Sequence, residues 1–485
     1  MSFFKSDDRD IEIAHRHFKR TEISLALDTW KNNASWIKAV GKHYENLFRG
    51  VGHWMELIGL QSVSSALPAV PYGNELMRSK INIFEKGGAG FGKGQLITLA
   101  QDLMPRVERC NVMTSAGVIG AINKHGNWVP GRAYLAKWGI LAIPELFQTI
   151  KRGENFESLC EDLCEILEYP HRINKTAISY QISDIASTSH LYDGVSFPEP
   201  NQFEYEAPCC GLVATAEFSL PVLLQKLNPG FLSRFIDIPI VYSSSEADEA
   251  VKNFWDNVLL PSSSEDGFAD KDTFRRLFHV VWWFNLGWGH DEFGIPAITS
   301  FRLPPKHRDT LEKETLEAMK DAWKKLNKNP EDDEKFSSVP VFFREAQDLL
   351  RIVCADAASR RYETDENLKG EIEIDAEAVK TGIEYLYMIA MSRIATAIES
   401  AKILKLSSLG ESYIGDPSYC IIKEAGEEGI FRVEVVNIMQ KPPYNWNERR
   451  VYRHIDKLIN DHVVSTDGRR LWAKVSLIEE KGGWF

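Results

Sequence analysis

The chain has 485 residues, 44% apolar and 26% charged. That is longer than one hydrophobic core usually supports, so about three globular domains are expected. No stretch approaches the roughly 20 uninterrupted apolar residues of a membrane helix, which excludes such a span and any membrane partner. A net charge of −12 argues against coating nucleic acid with the whole surface, although a ring can be acidic outside and basic along its channel.

Residues 2–10 are too charged for a secretion signal, so a cytoplasmic protein is expected. In the next stretch Ile23, Leu27, Trp30, Trp36, Ile37, Val40 and Leu47 recur near helical spacing. Residues 1–74 therefore read as a helical N-terminal region, ending in a Ser- and Pro-containing connector at 62–72. An α/β block follows over 75–245. Its apolar runs at 81–84, 110–113, 139–143, 210–214 and 235–241, separated by helices, predict a parallel sheet in a three-layer αβα core. The seven cysteines are scattered, and the close pairs Cys160/Cys164 and Cys209/Cys210 fit neither a zinc ribbon nor a redox motif. Buried thiols and no metal centre are expected.

Serines at 243–245 and 262–264 punctuate the exit from the block. Residues 246–404 are mainly helical, with a charged stretch at 306–335, an amphipathic helix at 341–359 and a long helical segment at 377–398. A linker at 406–417 leads to residues 415–485, where helices precede a hairpin turned at Thr466-Asp467-Gly468, the pattern of a winged helix.

The strongest chemical signal is Gly87-Gly88-Ala89-Gly90-Phe91-Gly92-Lys93-Gly94, between the β-branched run at 81–84 and a helix opening at Gln95. This is a P-loop, G-x-x-x-x-G-K, whose backbone N–H groups surround ATP phosphates while Lys93 approaches the β and γ oxygens. Gly94 stands where a hydroxyl normally ligates Mg²⁺, so Mg²⁺ coordination is atypical and binding is better supported than hydrolysis. Glu145 follows the strand-like run at 139–143, the position of a water-activating carboxylate, but Pro144 occupies the place of the usual aspartate. Thr215 and Glu217, at the polar end of the 211–216 run, are candidates for sensing the γ-phosphate or orienting water. Arg234 immediately precedes the last core strand, where an arginine finger can reach a neighbour's γ-phosphate. Arg344 opens the amphipathic helix and either reaches back onto the phosphates or is a solvated charge, as is Arg351 seven residues later.

Taken in order, these elements resemble AAA+ ATPases, and within them the minichromosome maintenance helicases and related plasmid or viral replication helicases. The resemblance rests on residues 113–122, on Leu135 to Leu146, on Phe231-Leu232-Ser233-Arg234-Phe235, and on the run from Arg344 to Ile352 with Ala355 to Ala358. It covers about residues 55–400 and implies an AAA+ core with a helical lid, assembled as a homo-hexameric ring around DNA with a C-terminal winged helix. It also implies hairpins in the channel, one before the strand at Gly211, and a primase or loader as partner. Gly94, Pro144 and Glu217 depart from the family pattern, which implies weak or partner-dependent hydrolysis. The N-terminal part is too short and too helical for the family's OB-fold and zinc collar.

Lys124 and Arg132, and Arg172 and Lys175, are the phosphate candidates of the block, with solvated loops as the alternative. In the C-terminal module Val451, Ile455, Leu458 and Ile459 share one helix face, and Arg449, Arg450, Arg453 and Lys457 the other. With Arg469 and Arg470 at the wing turn they form a recognition surface for DNA, or a face for proteins. Three functions are open: a DNA helicase with ATPase activity, a hydrolysis-poor scaffold or origin-binding initiator, and a remodeller of protein partners.

Overall fold

The apolar runs of the α/β block assemble into one five-stranded parallel sheet, ordered Ile236–Ile240, Ile83–Gly87, Cys210–Ala216, Ile140–Ile143 and Val107–Arg109. The computed structural model describes residues 20–33, 35–47, 50–72, 74–87, 93–111, 114–122, 128–146, 156–176, 194–198, 202–216, 231, 234–240, 248–249, 252, 271–288, 293–326, 342–361, 370–392, 418, 421–422, 425, 429–441, 446–460, 464–466 and 469–473. The chain divides into two compact units, Met1–Thr396 and Ala397–Phe485.

Four strands fall on the expected runs, but the one expected at 110–113 forms earlier, over Val107–Arg109. Among the described residues this strand lies at the sheet edge and pairs only with Ile140–Ile143, so half-buried Glu108 and Arg109 are tolerated there. The apolar signal sits on the next residue, buried Cys110, whose amide still donates to the Ala142 carbonyl at 2.8 Å.

Alternation along the strands gives the sheet two apolar faces. Ile83, Leu212, Ala214 and Ile238 share a core with Leu96 and Ile97 of the helix Lys93–Leu103, Ile58 of Gly52–Ser65 and Val281 of Lys271–Asn285. On the other face Leu167, closing the helix Phe156–Leu167, crowds Gly211 so closely that a Cβ there would meet it at 3.1 Å. Helix, sheet and helix thus stack in three layers.

Residues 62–65 belong to the helix Gly52–Ser65, correcting the expected connector at 62–72. Serines weaken helices by offering the backbone competing bonds, but here they are buried where strand ends need partners. Ser64 Oγ accepts from Ile81 N at 3.0 Å, and Gln61 Nε2 donates to the Ile81 and Gly211 carbonyls at 3.0 and 2.8 Å. The helix buttresses the amino ends of the strands. The preceding helices Arg20–Asn32 and Trp36–Leu47 are tied to the long helix Phe342–Ser359, since Trp30 and Trp36 both donate their indole N–H to the Ser359 carbonyl, at 2.6 and 3.1 Å.

Small antiparallel elements interrupt the sheet's crossovers. Gly120–Ile122 pairs with Trp128–Pro130, and Gln202–Glu206 lies between Arg172–Thr176 and Val195–Ser196. The second contains the hairpin expected before Gly211. The first was not anticipated, although Gly120, at a φ of 99° that only glycine adopts readily, ends the preceding helix and starts its strand. Beyond the sheet the charged stretch forms the helix Pro305–Leu326, a parallel pair joins Ser300–Arg302 to Glu371–Glu373, and residues 376–392 are helical.

In the second unit Ile430–Phe431, Arg470–Ala473 and Val464–Thr466 form an antiparallel sheet, with helices Arg432–Met439 and Glu448–Asn460 between the first and third in sequence. Val435, Val436, Val451, Ile455, Leu458 and Leu471 build its core, as the helical spacing requires. Among the described residues of the chain no helix is long and apolar enough to cross a membrane.

Candidate functional site

A parallel sheet delivers the carboxyl ends of all its strands to one edge, where ligand sites of α/β folds form. Gly87 ends its strand there, residues 88–92 connect it to the helix Lys93–Leu103, and Ala216 and Ile240 are its register partners. Lys93 is buried, and its Nζ donates to the Gly87 carbonyl at 2.6 Å, so the ammonium is folded against the loop's own backbone. Ile143 pairs with Val213, which carries Glu145 alongside Thr215, and the buried Thr215 Oγ1 donates to Glu145 Oε1 at 3.3 Å. The structure thus gathers Gly87, Lys93, Glu145 and Thr215 at one edge. Gly94 and Gln95 are exposed on the first helical turn. Gly88, Ala89, Gly90, Phe91, Gly92 and Glu217 lie outside the described residues.

Sequence reasoning missed Glu85, two residues before Gly87. It is 0% exposed and neither carboxyl oxygen has a hydrogen-bond partner. Burial pushes its pKa up to about 8, against the opposing pull of the Lys93 ammonium. The signal was present: an acid inside a strand-forming run, next to a glycine loop. On the neighbouring strand alignment, Lys86 Nζ pairs with Asp237 Oδ2 at 3.1 Å.

Arg234 and Arg344 are absent from this edge: both pair with Glu168, Arg344 where a reach back onto the phosphates or a solvated charge was expected, and Arg234 where the expected reach was to a neighbouring chain. Arg234 precedes Ile236, which is in register with Ile83, so it stands at the amino edge of the sheet. Five residues at about 3.3 Å each separate the edges along the strand Ile83–Gly87, a span of about 15 Å. Arg234 Nε and Arg344 Nη1 both reach Glu168 Oε1, each at 3.1 Å, and Arg78 Nη1 lies 3.7 Å from the same oxygen. Arg351, from the helix of Arg344, pairs with Asp348 and donates its Nε–H to the Arg78 carbonyl at 3.3 Å. Burial opposes ionisation of Glu168, yet Arg78, Arg344, Arg234 and Arg351 together hold its carboxyl below the usual range. Burial and the adjacent Arg351 lower Arg78 to about 9. Neither Glu168 nor Arg78 belongs to a motif, so nothing local in the sequence marks them.

No protein-family model matches this chain, and no curated protein matches it. The site must be read from its chemistry.

Of the phosphate candidates in the block, Arg132, Arg172 and Lys175 are each paired with acids. Arg132 Nη1 pairs with Glu108 Oε2 at 3.0 Å, and Arg172 pairs with Glu204 across the small sheet. Lys175 Nζ lies 2.7 Å from Asp162 and 3.4 Å from Glu165; although burial opposes it, these carboxylates raise its pKa. Lys124 lies outside the described residues. In the second unit Arg449, Arg450 and Arg453 are exposed on one face of Glu448–Asn460, with the Arg450 guanidinium 4.1 Å over the Trp446 ring. Exposed Arg469 precedes Arg470, whose guanidinium lies 4.5 Å over Phe431. Lys457 lies on the same helix, but its side chain is outside the description.

Proposed function

We propose that the chain is an ATP-binding AAA+ protein of the cytoplasm that assembles into a ring, a hexamer by its resemblance, and translocates on DNA as a replication helicase. One observation carries this reading: Lys93, Thr215 and Glu145 gather at the loop edge of the sheet, and Arg234 and Arg344 at the opposite edge. In a head-to-tail ring the arginine edge of one copy faces the loop edge of the next, so two half-sites make a whole one. Gly87, Lys93 and the amino end of the helix Lys93–Leu103 would hold the phosphates, as the backbone N–H groups and helix dipole favour anions. Glu145, which accepts a hydrogen bond from Thr215, would accept the proton of an attacking water. Thr215 restricts the rotation of that carboxylate.

The family's magnesium site fits these residues incompletely. Gly94 and Pro144 offer no side-chain oxygen, so no Mg²⁺ ligand is assigned among them. Sterics do not impose Gly94, since a Cβ there would meet nothing within 4 Å. Gly94→Ser is therefore expected to fold like the native chain and to raise Mg²⁺-dependent turnover about tenfold, worth ~1.4 kcal/mol of barrier. Phosphate release with and without Mg²⁺ checks this, and equal rates for both proteins would remove the missing hydroxyl as an explanation for slow hydrolysis.

The hairpins in the sheet crossovers support a channel reading, and the second unit supports a winged helix. Arg449, Arg450 and Arg453 lie on the helix before the strand pair, and Arg469 and Arg470 at the start of its second strand, the positions a recognition helix and wing would occupy. The deciding experiment titrates fluorescent ATP into the native protein and Lys93→Ala. Loss of a charge-assisted phosphate contact is expected to weaken binding by roughly 10–100-fold. Turnover with single-stranded DNA and unwinding of a forked duplex then test the helicase. Gly94 and Pro144 favour a second reading, a hydrolysis-poor scaffold or initiator in which ATP acts as assembly glue. Tight binding without turnover would select it, and action on protein clients without unwinding would select a remodeller.

A further inference from the structure

We infer that the second unit binds duplex DNA through the major groove and needs no nucleotide to do so, with Arg450 reading base edges and Arg449 and Arg453 holding phosphates. This rests on the recognition-helix reading of that unit and names its partner. Asn447 starts the helix Glu448–Asn460: its Oδ1 accepts from Arg450 N at 2.8 Å and its carbonyl from Val451 N at 3.1 Å. Val451, Ile455 and Leu458 are buried in the core, so Arg449 and Arg453 fall on the opposite side of the helix with Arg450 beside them. All three arginines are exposed, and among the described residues no carboxylate pairs with any of them. The two acids of the helix do not cancel this face. Glu448 lies three residues before Val451, toward the core side, and Asp456 is paired with Arg432.

Charge and shape together select duplex DNA. Arg432 pairs with Asp456 through its side chain and donates its backbone N–H to the Arg469 carbonyl at 3.0 Å, so the strand bearing Arg470 adjoins the helix just beyond Arg453. A helix of about 10–12 Å diameter enters a B-form major groove about 12 Å wide, where its amino-terminal residues meet base edges. The major groove of an RNA duplex is too narrow for that. Single strands are held by bases stacking on open aromatic rings, but guanidinium groups already occupy the rings here. Arg450 lies 4.1 Å over Trp446, Arg432 5.2 Å over Tyr452 and Arg470 4.5 Å over Phe431, and Trp446 and Tyr452 also pack against the core. Trp446 thus orders Arg450 in advance, and a planar fork of donors is the group that pairs with guanine O6 and N7.

The test measures fluorescence anisotropy of a labelled DNA duplex, its single strand and the RNA duplex of the same sequence, titrated with the full chain in the absence of nucleotide. Tightest binding to the DNA duplex is expected. Arg449→Ala/Arg453→Ala should weaken it about 10–100-fold and lower the salt slope by about two, one for each phosphate contact. Arg450→Lys keeps the charge and the salt slope but loses the fork, so it should bind about tenfold more weakly and no longer enrich guanine from a randomised duplex pool. The substituted side chains are exposed, so these variants keep the core. Equal or tighter binding of the single strand or the RNA, or duplex binding that the arginine variants leave unmoved, would overturn the inference. A folded chain that binds no duplex would also overturn it and leave this face to a protein partner. Lys93→Ala should bind duplex as the native chain does. Duplex binding by a chain that takes up no ATP would refute the helicase reading alone, whereas unwinding that persists without any arginine-dependent duplex binding would refute this inference alone.

Discussion

Replacing Arg234 by alanine is expected to leave ATP affinity unchanged and to lower turnover by about 10³-fold or more, the range in which arginine fingers stabilise transferring phosphoryl groups. The reason is positional. Arg234 stands at the amino edge, about 15 Å along the strand from the loop edge that carries Lys93 and Glu145. In the proposed ring it would therefore contribute to no nucleotide held by its own chain, and its loss would be felt only by a neighbour. Mixing tests this directly. Arg234→Ala and Lys93→Ala should each be inactive alone, yet a mixture should recover activity. At some interfaces an intact loop then meets an intact arginine. Recovery of a substantial fraction of native phosphate release on mixing is the expected result. Mixtures as inactive as their components would mean that both residues serve one chain, against the geometry of the sheet.

How much of this was legible before the fold was known depended on whether a residue's role is local. Lys93 at the start of its helix and the strand leading to Glu145 announce themselves because strand and helix are set by neighbours in sequence. The C-terminal hairpin was equally plain, since Thr466-Asp467-Gly468 reads as a turn signal between strand-forming residues, and Val464–Thr466 pairs with Arg470–Ala473 as expected. The order of apolar runs predicted a parallel sheet but not its edge strand, because an edge relaxes the demand for apolar side chains at Glu108 and Arg109. The helix through Ser62, Ser64 and Ser65 looked like a connector because serine is read as a loop residue. Its role here is to satisfy strand ends that only the tertiary fold brings near. Glu168 was invisible for the same reason. Its partners come from residues 78, 234 and 344, and nothing in the local sequence joins them.

Glu85 yields the second large effect, and it concerns stability. In the folded chain its carboxyl titrates at about 8, against an ordinary value of 4.5, because it is buried without a hydrogen-bond partner. Between those values the folded state keeps a proton that the unfolded chain has released, so rising pH favours unfolding, by up to ~1.4 kcal/mol per pH unit. Glu85→Gln is neutral at every pH and keeps the shape. It is expected to be more stable than the native chain by roughly 3–4 kcal/mol near pH 7 to 8, with the difference fading toward pH 4.5. Denaturant melts at three pH values would show this, and a difference independent of pH would mean that Glu85 is not held neutral. Lys93 sharpens the case, since its ammonium pulls the Glu85 value down. In Lys93→Ala the carboxyl should titrate higher still, so that variant should go on losing stability at pH values where the native chain has levelled off. A protonated Glu85 exerts no charge on the Lys93 ammonium, while an ionised Glu85 would compete with phosphate for it. Weaker ATP binding as pH rises through 8, abolished in Glu85→Gln, is the functional form of the same titration.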